Sequence, residues 1–322
     1  MTTLRARHIP HAHADFIHDL SYDYYGKRLA SCSSDQTVKV WDLDAKGEWQ
    51  VREGGELKNA HQGIIWKLAW AHPEFGQVIA SCSADRSVKI WEEQTGMPMD
   101  GKQGQSRWHP KATLAESRKQ VRDIEFAPRH LGLKLAAASA DGNVRVYEAH
   151  DVMNLNHWPA PEVIEVESGV AGVTALSWCK SQFDEPMLAV GTGSGRVQVW
   201  RYVDGTKWQL ACDLQSHTAM VCDVDWAPNM GRGYHLIATA GREGSLRIHR
   251  LKRVQGGRVE VDLQDKASHV ELSNKSGAWT VQWNITGTVL ASSGDKSAVD
   301  LWKCDFKVGV LLVLLVLLVL PG

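Results

Sequence analysis

Two stretches, RLASCSSDQTVKVW at residues 28–41 and VIASCSADRSVKIW at residues 78–91, determine the fold. They share one order: a strand of small residues, a turn with an Asp, and a strand of alternating apolar and polar residues that ends in Trp. Such alternation is typical of a half-buried β-strand. A unit that recurs after about 50 residues indicates a repeat protein.

The alternating strand occurs six times and ends each time in a bulky ring, at Trp41, Trp91, Tyr147, Trp200, His249 and Trp302. An aliphatic residue lies twelve positions before each ring and is always followed by Ala, which indicates close packing that a larger side chain would disturb. A strand of the pattern apolar-x-x-apolar-x-aromatic precedes these two. Less regular fourth strands are expected at Trp49–Val51, Trp208–Leu210 and Val259–Val261. Four strands per repeat predict an all-β, six-bladed WD-repeat β-propeller, one domain over residues 1–306.

A hydrogen-bonded network is expected inside these repeats. In a WD blade, a buried His, a turn Asp, a strand Ser or Thr and the terminal ring hold the turn against the strand, because a lone buried imidazole would be costly. The first two repeats have both the His and the Asp, and the others keep one or neither. We assign to this structural network His13, Asp35, Trp41, His61, Asp85, Trp91, Asp141, Tyr147, Trp200, His217 and Trp302.

Catalysis and cofactors find no support in the sequence. The recurring His, Asp and Ser could suggest a hydrolase triad, but catalysis needs one constellation and not six degraded copies. The N-terminal group His8, His11, His13, His18 and Asp15 could suggest a metal site, but no Cys or second cluster completes a coordination shell. We therefore predict no enzyme, no catalytic residue, no metal and no cofactor.

The balance of charges limits the partners. The chain has 36 Lys and Arg against 37 Asp and Glu, so it offers no basic surface for nucleic acid or an anionic membrane. The six Cys form no CxxC pair, and residues 1–10 contain no apolar signal-peptide core. We expect a reducing compartment, no disulfides and no direct nucleic-acid partner.

Three long polar insertions, Glu92–Gln120, Ala149–Gly172 and Lys252–Gly277, are predicted to be surface loops that could contact partners or be merely tolerated.

The C-terminus, residues 307–322, is an apolar Leu/Val tail. As a helix, the run Val308–Leu320 would span about 20 Å, short of the ~30 Å hydrocarbon core of a bilayer. We interpret the tail as an artefact of gene prediction or splicing in preference to a membrane anchor, and expect Phe306–Leu312 to form the outer strand of the sixth repeat.

Four segments resemble a known family: DFIHDLSYDYYGKRLASCSSDQTVKVWD from Asp15, WAHPEFGQVIASCSADRSVKIWEE from Trp70, FAPRHLGLKLAAASADGNVRVYEAHDVMNLNHW from Phe126 and WNITGTVLASSGDKSAVDLWK from Trp283. Over residues 15–303 the chain resembles the small six-bladed WD-repeat nucleoporins of the nuclear-pore outer ring, the Y-shaped complex. The WD-repeat subunit of the COPII coat cage shares the stretch WAHP-FG…LASCS. The segment YEAHDVMNLNHW, residues 147–158, resembles the nucleoporin and not the coat subunit.

The resemblance implies a propeller that is left open by six blades and completed in trans by a partner blade. The implied donor is a large α-solenoid nucleoporin of the Y-complex. A second implied assembly is the coat-like SEA/GATOR complex of nutrient signalling at the vacuole or lysosome. The implied locations are the nuclear pore complex at the nuclear envelope and a pool at the vacuole or lysosome membrane, with membrane association only through the complex. We expect the interface with the partner blade at Phe16, Ile17, Leu20, Val299 and Leu301.

Other functions of a WD-repeat protein stay open at this point. The chain could be a peptide reader, such as the substrate receptor of a ubiquitin ligase, or a COPII-type coat subunit. A closed ring with a basic or aromatic pocket at its central channel would favour the peptide reader. Propellers host many functions, so the fold alone does not decide between them.

Overall fold

A computed structural model describes the chain at residues 9, 12–95, 106–167, 169, 171–203, 205, 207–215, 217–253, 259–261, 269–273, 278–295, 298–304 and 311–318. The chain divides into two compact units, Met1–Val163 and Ile164–Gly322. Over the described ranges the secondary structure is β-strand, with two short 3-10 turns at Pro73–Phe75 and Arg129–Leu131. No helix in that part of the chain has the length and apolar character needed to cross a membrane.

The first unit contains three antiparallel sheets, which we call blades one to three. Within each blade the order of the strands across the sheet follows the order in the chain. The strands, four to a blade, are β1 (Ile17–Tyr22), β2 (Arg28–Ser33), β3 (Val38–Leu43), β4 (Trp49–Leu57), β5 (Ile65–Trp70), β6 (Val78–Ser83), β7 (Val88–Thr95), β8 (Ser106–Leu114), β9 (Val121–Phe126), β10 (Lys134–Ser139), β11 (Asn143–Glu148) and β12 (Glu162–Glu165). The boundary between the units falls within β12.

The second unit contains blades four to six. Its strands are β13 (Val173–Trp178), β14 (Met187–Thr192), β15 (Arg196–Val203), β16 (Lys207–Gln215), β17 (Val221–Trp226), β18 (Tyr234–Gly241), β19 (Ser245–Arg253), β20 (Val259–Val261), β21 (His269–Ser273), β22 (Thr280–Trp283), β23 (Val289–Ser293), β24 (Ala298–Cys304) and β25 (Leu311–Leu318). Blades four and six have four strands each, and blade five has two short outer strands, β20 and β21, which pair with the two ends of β19. The prediction of an all-β chain with six blades is confirmed.

Neighbouring blades within each unit pack face to face. One face of a blade contacts the preceding blade and the other face contacts the next one. Residues that meet in this way in shared apolar clusters are Val40 and Leu68, Ile90 and Ile124, Val199 and Val224, and Ile248 and Val281. The repeated Ala lies in the same layer and is completely buried in five blades, whereas Ala291 of blade six is only half-buried. A larger residue at the five buried positions would overpack the contact between blades.

The outer strands are where the structure departs from the sequence expectations. The prediction that the three long insertions are loops is wrong in part, because they contain the outer strands β8, β12 and β21. Strand β20 lies at Val259–Val261, where a fourth strand was expected. An outer strand packs on one side and faces solvent on the other, so its sequence is polar enough to be mistaken for a loop. In blade six an outer strand, Leu311–Leu318, pairs with β24 and overlaps the expected Phe306–Leu312 at its last two residues, whereas residues 306–310 lie outside the described part of the chain.

Candidate functional site

The structure brings together the predicted network residues of blade one. His13 Nδ1 lies 3.0 Å from Asp35 Oδ2, and His13 Nε2 lies 2.7 Å from Ser31 Oγ. The indole N–H of Trp41 donates to the same Ser31 hydroxyl over 2.9 Å. Burial lowers the pKa of His13, against the opposing effect of the Asp35 carboxylate. The four side chains therefore tie the turn after β2 to the segment before β1 and to β3.

Blade two repeats this geometry. His61 lies 2.9 Å from Asp85 Oδ2 and 2.8 Å from Ser81 Oγ, which also accepts from Trp91 Nε1 over 2.9 Å. Burial alone would raise the pKa of Asp85, but hydrogen bonds from His61, Ser87 and a backbone amide hold it well below its ordinary value. The carboxylate is thus a fixed acceptor that orients the turn.

The other blades replace parts of the network. In blade three, Asp141 pairs with Arg145 over 2.9 Å in place of a His, and the Tyr147 hydroxyl donates to Glu116 over 2.9 Å. In blade four, Trp200 Nε1 donates to the Gln198 side chain over 3.1 Å.

Blade five uses Glu in place of Asp: His217 lies 2.6 Å from Glu243 and 2.8 Å from Thr239. Among the described residues of blade six, the network bond is that from Trp302 Nε1 to Ser292 Oγ, 2.9 Å. Each set bonds within its own blade, so the arrangement positions turns and does not converge on a substrate.

A further cluster of titratable side chains, Cys179, Asp184 and His235, links blades four and five. One ligand atom from each residue lies within 4.8 Å of the others, and the side chains of Asp184 and His235 are almost completely buried. His235 Nδ1 lies 4.0 Å from Cys179 Sγ, and its Nε2 lies 3.4 Å from Asp184 Oδ2. The two ring nitrogens face different partners, so the imidazole bridges the thiol and the carboxylate. We assign this cluster a structural role; it follows no repeat register, so sequence reasoning missed it.

The first strand of blade one is uncovered on one face. In blades two, three, five and six, the equivalent face packs against the blade that precedes it in the chain. Phe16, just before β1, is 79% exposed, and Ile17, Leu20 and Tyr22 are 45%, 56% and 59% exposed. The residues at the registers of Ile17 and Leu20 in the other blades are Ile65, Val121, Val173, Val221 and Ala278, and Leu68, Ile124, Leu176, Val224 and Val281. All ten are at most 3% exposed. Blade one therefore presents to solvent the surface that every other blade buries.

Blade six has a corresponding partly uncovered surface on β24. It lies on the face that, in blades one, two, four and five, packs against the next blade. Val299 and Leu301 are only half-buried. Their register equivalents are Val38 and Val40, Val88 and Ile90, Val144 and Val146, Val197 and Val199, and Leu246 and Ile248, of which none is more than 4% exposed. Sequence reasoning did not include Tyr22 and Ala291 in this surface, although their registers match those of buried residues elsewhere.

Comparison with known proteins agrees with this architecture. The family model described as "WD domain, G-beta repeat" matches residues 5–42 and 54–92. The chain is thus a WD-repeat protein. It is 43% identical over 316 residues to Nucleoporin SEH1 of Homo sapiens and of Xenopus tropicalis, and 44% identical to that of Pongo abelii. These alignments cover 94% of this chain and 85% of each relative. The chain belongs to the SEH1 nucleoporin family, which confirms the resemblance noted in the sequence.

Proposed function

We propose that the chain is a non-enzymatic scaffold subunit of the nuclear-pore outer ring, the Y-complex, and that a large α-solenoid nucleoporin donates a blade to it in trans. Membership of the SEH1 nucleoporin family supports a role at the nuclear pore. The hydrogen-bonded networks, each used up within its own blade, support a scaffold in preference to an enzyme.

The observation that carries the proposal is the exposure of Ile17 and Leu20 at registers that all other blades bury. A sheet face with exposed apolar side chains is a liability in a free protein and a suitable surface for packing of a blade donated by a partner. The half-buried Val299 and Leu301 supply a second such surface.

We further propose that a pool of the protein belongs to the SEA/GATOR complex at the vacuole or lysosome membrane. The protein would associate with that membrane only through the complex. Its support is the resemblance of the four sequence segments to that family. We assign both assemblies to the same uncovered faces. One subunit would then bind only one donor at a time.

The test is co-purification of the chain with the solenoid nucleoporin of the Y-complex from the same organism, after co-expression. Leu20→Arg places a charge on the uncovered face and should abolish recovery of the solenoid. The matched control is Leu210→Arg, because Leu210 is 47% exposed on the outer strand of blade four. Wild-type recovery with Leu20→Arg, at normal yield of folded protein, would overturn the proposal.

A further inference from the structure

A set of hydrogen bonds crosses from the first strand of one blade to the first strand of the next. In the first unit, Asp19 Oδ2 accepts from the Leu68 amide over 2.9 Å. In the second unit, Asp223 Oδ2 accepts from the Val281 amide over 2.9 Å, and Asp225 Oδ2 from the Trp283 amide over 2.6 Å.

Ser177 Oγ likewise accepts from the Trp226 amide over 3.1 Å. These four bonds occupy two registers. The acceptors lie at the register of Asp19 or at that of Ser21, and the donors lie at the register of Leu20 or at that of Tyr22. The first strand of a blade thus satisfies outward amides of the blade that follows it.

The outward amides of blade one lack the acceptors that the outward amides of blades two, five and six have. The Leu20 and Tyr22 amides have the same strand register as the Leu68 and Trp226 amides, so they point away from β2. Over the part of the chain that the structure describes, no side chain accepts from either of them. Blade six shows the converse: Thr280 and Gln282 lie at the acceptor registers and are exposed, whereas Asp223 and Asp225 are buried.

We propose that the inner strand of the donated blade carries two accepting side chains, Asp, Ser or Thr, two residues apart. These side chains accept from the Leu20 and Tyr22 amides of blade one. On blade six, taken by itself, Thr280 and Gln282 accept from outward amides of a donor strand. The inference rests on the proposed function and adds the chemistry by which the donor is recognised. Apolar burial supplies the affinity, and the alternating acceptors fix the register, because a slip by one residue would leave amides and acceptors unpaired.

The first experiment measures hydrogen exchange at single amides of β1 in the free chain and in the complex with the co-expressed solenoid nucleoporin. The Leu20 and Tyr22 amides should exchange about tenfold or more slowly in the complex, because a hydrogen-bonded amide exchanges only after local opening. The Ser21 amide points toward β2 and is the internal control, protected in both states. Unchanged fast exchange at Leu20 and Tyr22 in an intact complex would overturn the inference.

The second experiment varies blade six. Thr280→Val removes one acceptor from an exposed site and should weaken binding of the solenoid about two- to tenfold, the effect of one neutral hydrogen bond. Thr280→Asp, which installs the residue found at Asp223, should restore it. The control is Thr113→Val, because Thr113 is an exposed threonine on β8.

The two proposals fail in different ways. If the solenoid does not bind the wild-type chain, both are wrong. If it binds and Leu20→Arg abolishes binding, but Thr280→Val binds like wild type and the two amides stay unprotected, only the acceptor pattern is wrong.

Discussion

Leu20 and Leu68 occupy the same register in blades one and two, and replacing each with Ala should have very different effects on the free protein. Leu68 is 3% exposed in the cluster between the two blades, and truncation of such a leucine costs about 3–5 kcal/mol of unfolding free energy, since it leaves a cavity. Leu20 is 56% exposed. Less than half of the roughly 1.5–3 kcal/mol of full leucine burial is lost there, and no cavity forms, so we expect about 1 kcal/mol or less.

Urea unfolding followed by Trp fluorescence measures both variants. With an unchanged m-value, the midpoint of Leu68→Ala should fall well below wild type and that of Leu20→Ala should stay close to it. In binding assays with the solenoid nucleoporin, Leu20→Ala should weaken binding more than Leu68→Ala does. Equal destabilisation by the two substitutions would contradict this expectation, because it would mean that the free chain covers β1 by itself.

Two further predictions concern the hydrogen-bonded networks. Ser31→Ala leaves Trp41 Nε1 and one nitrogen of His13 without their acceptor or donor, and should cost about 1–3 kcal/mol, whereas Ser31→Thr keeps the hydroxyl and should cost much less in the same urea assay. Burial lowers the pKa of His13 and of His217, so below about pH 6.5 the unfolded chain binds more protons than the folded one, and stability falls as the pH drops from there toward the folded pKa values. The drop in urea midpoint between about pH 7.5 and about pH 5.5 should be smaller in a His13→Gln, His217→Gln variant, and an equal drop would contradict the assignment.

The inner three strands of each blade could be predicted from the sequence because they carry two constraints at once. The ring at Trp41 and its equivalents marks the end of one strand, and the buried Ala at Ala30 and its equivalents marks the crowded contact with the next blade. The outer strands carry neither constraint. Strand β12, for example, buries Ile164 and exposes its neighbours, and four residues of that pattern do not stand out within a polar insertion.

The candidate interface could be predicted only through the resemblance. Ile17 and Leu20 have the same alternation as Ile65 and Leu68, and the pattern says that they need cover without saying what supplies it. The acceptor registers were invisible for a related reason. Asp223 alternates with apolar residues like any solvent-facing position, yet the structure buries it against an amide of blade six.

The uncovered face of β1 has a consequence for how a cell supplies this protein. A copy that has not bound the proposed donor displays Phe16, Ile17, Leu20 and Tyr22 together, and grouped apolar side chains on an uncovered sheet face promote self-association. Under the proposed function, the safe concentration of the lone subunit is therefore set by the abundance of the donor. Excess copies would be bound by chaperones or degraded by proteases, and balanced synthesis of the two polypeptides would avoid this loss.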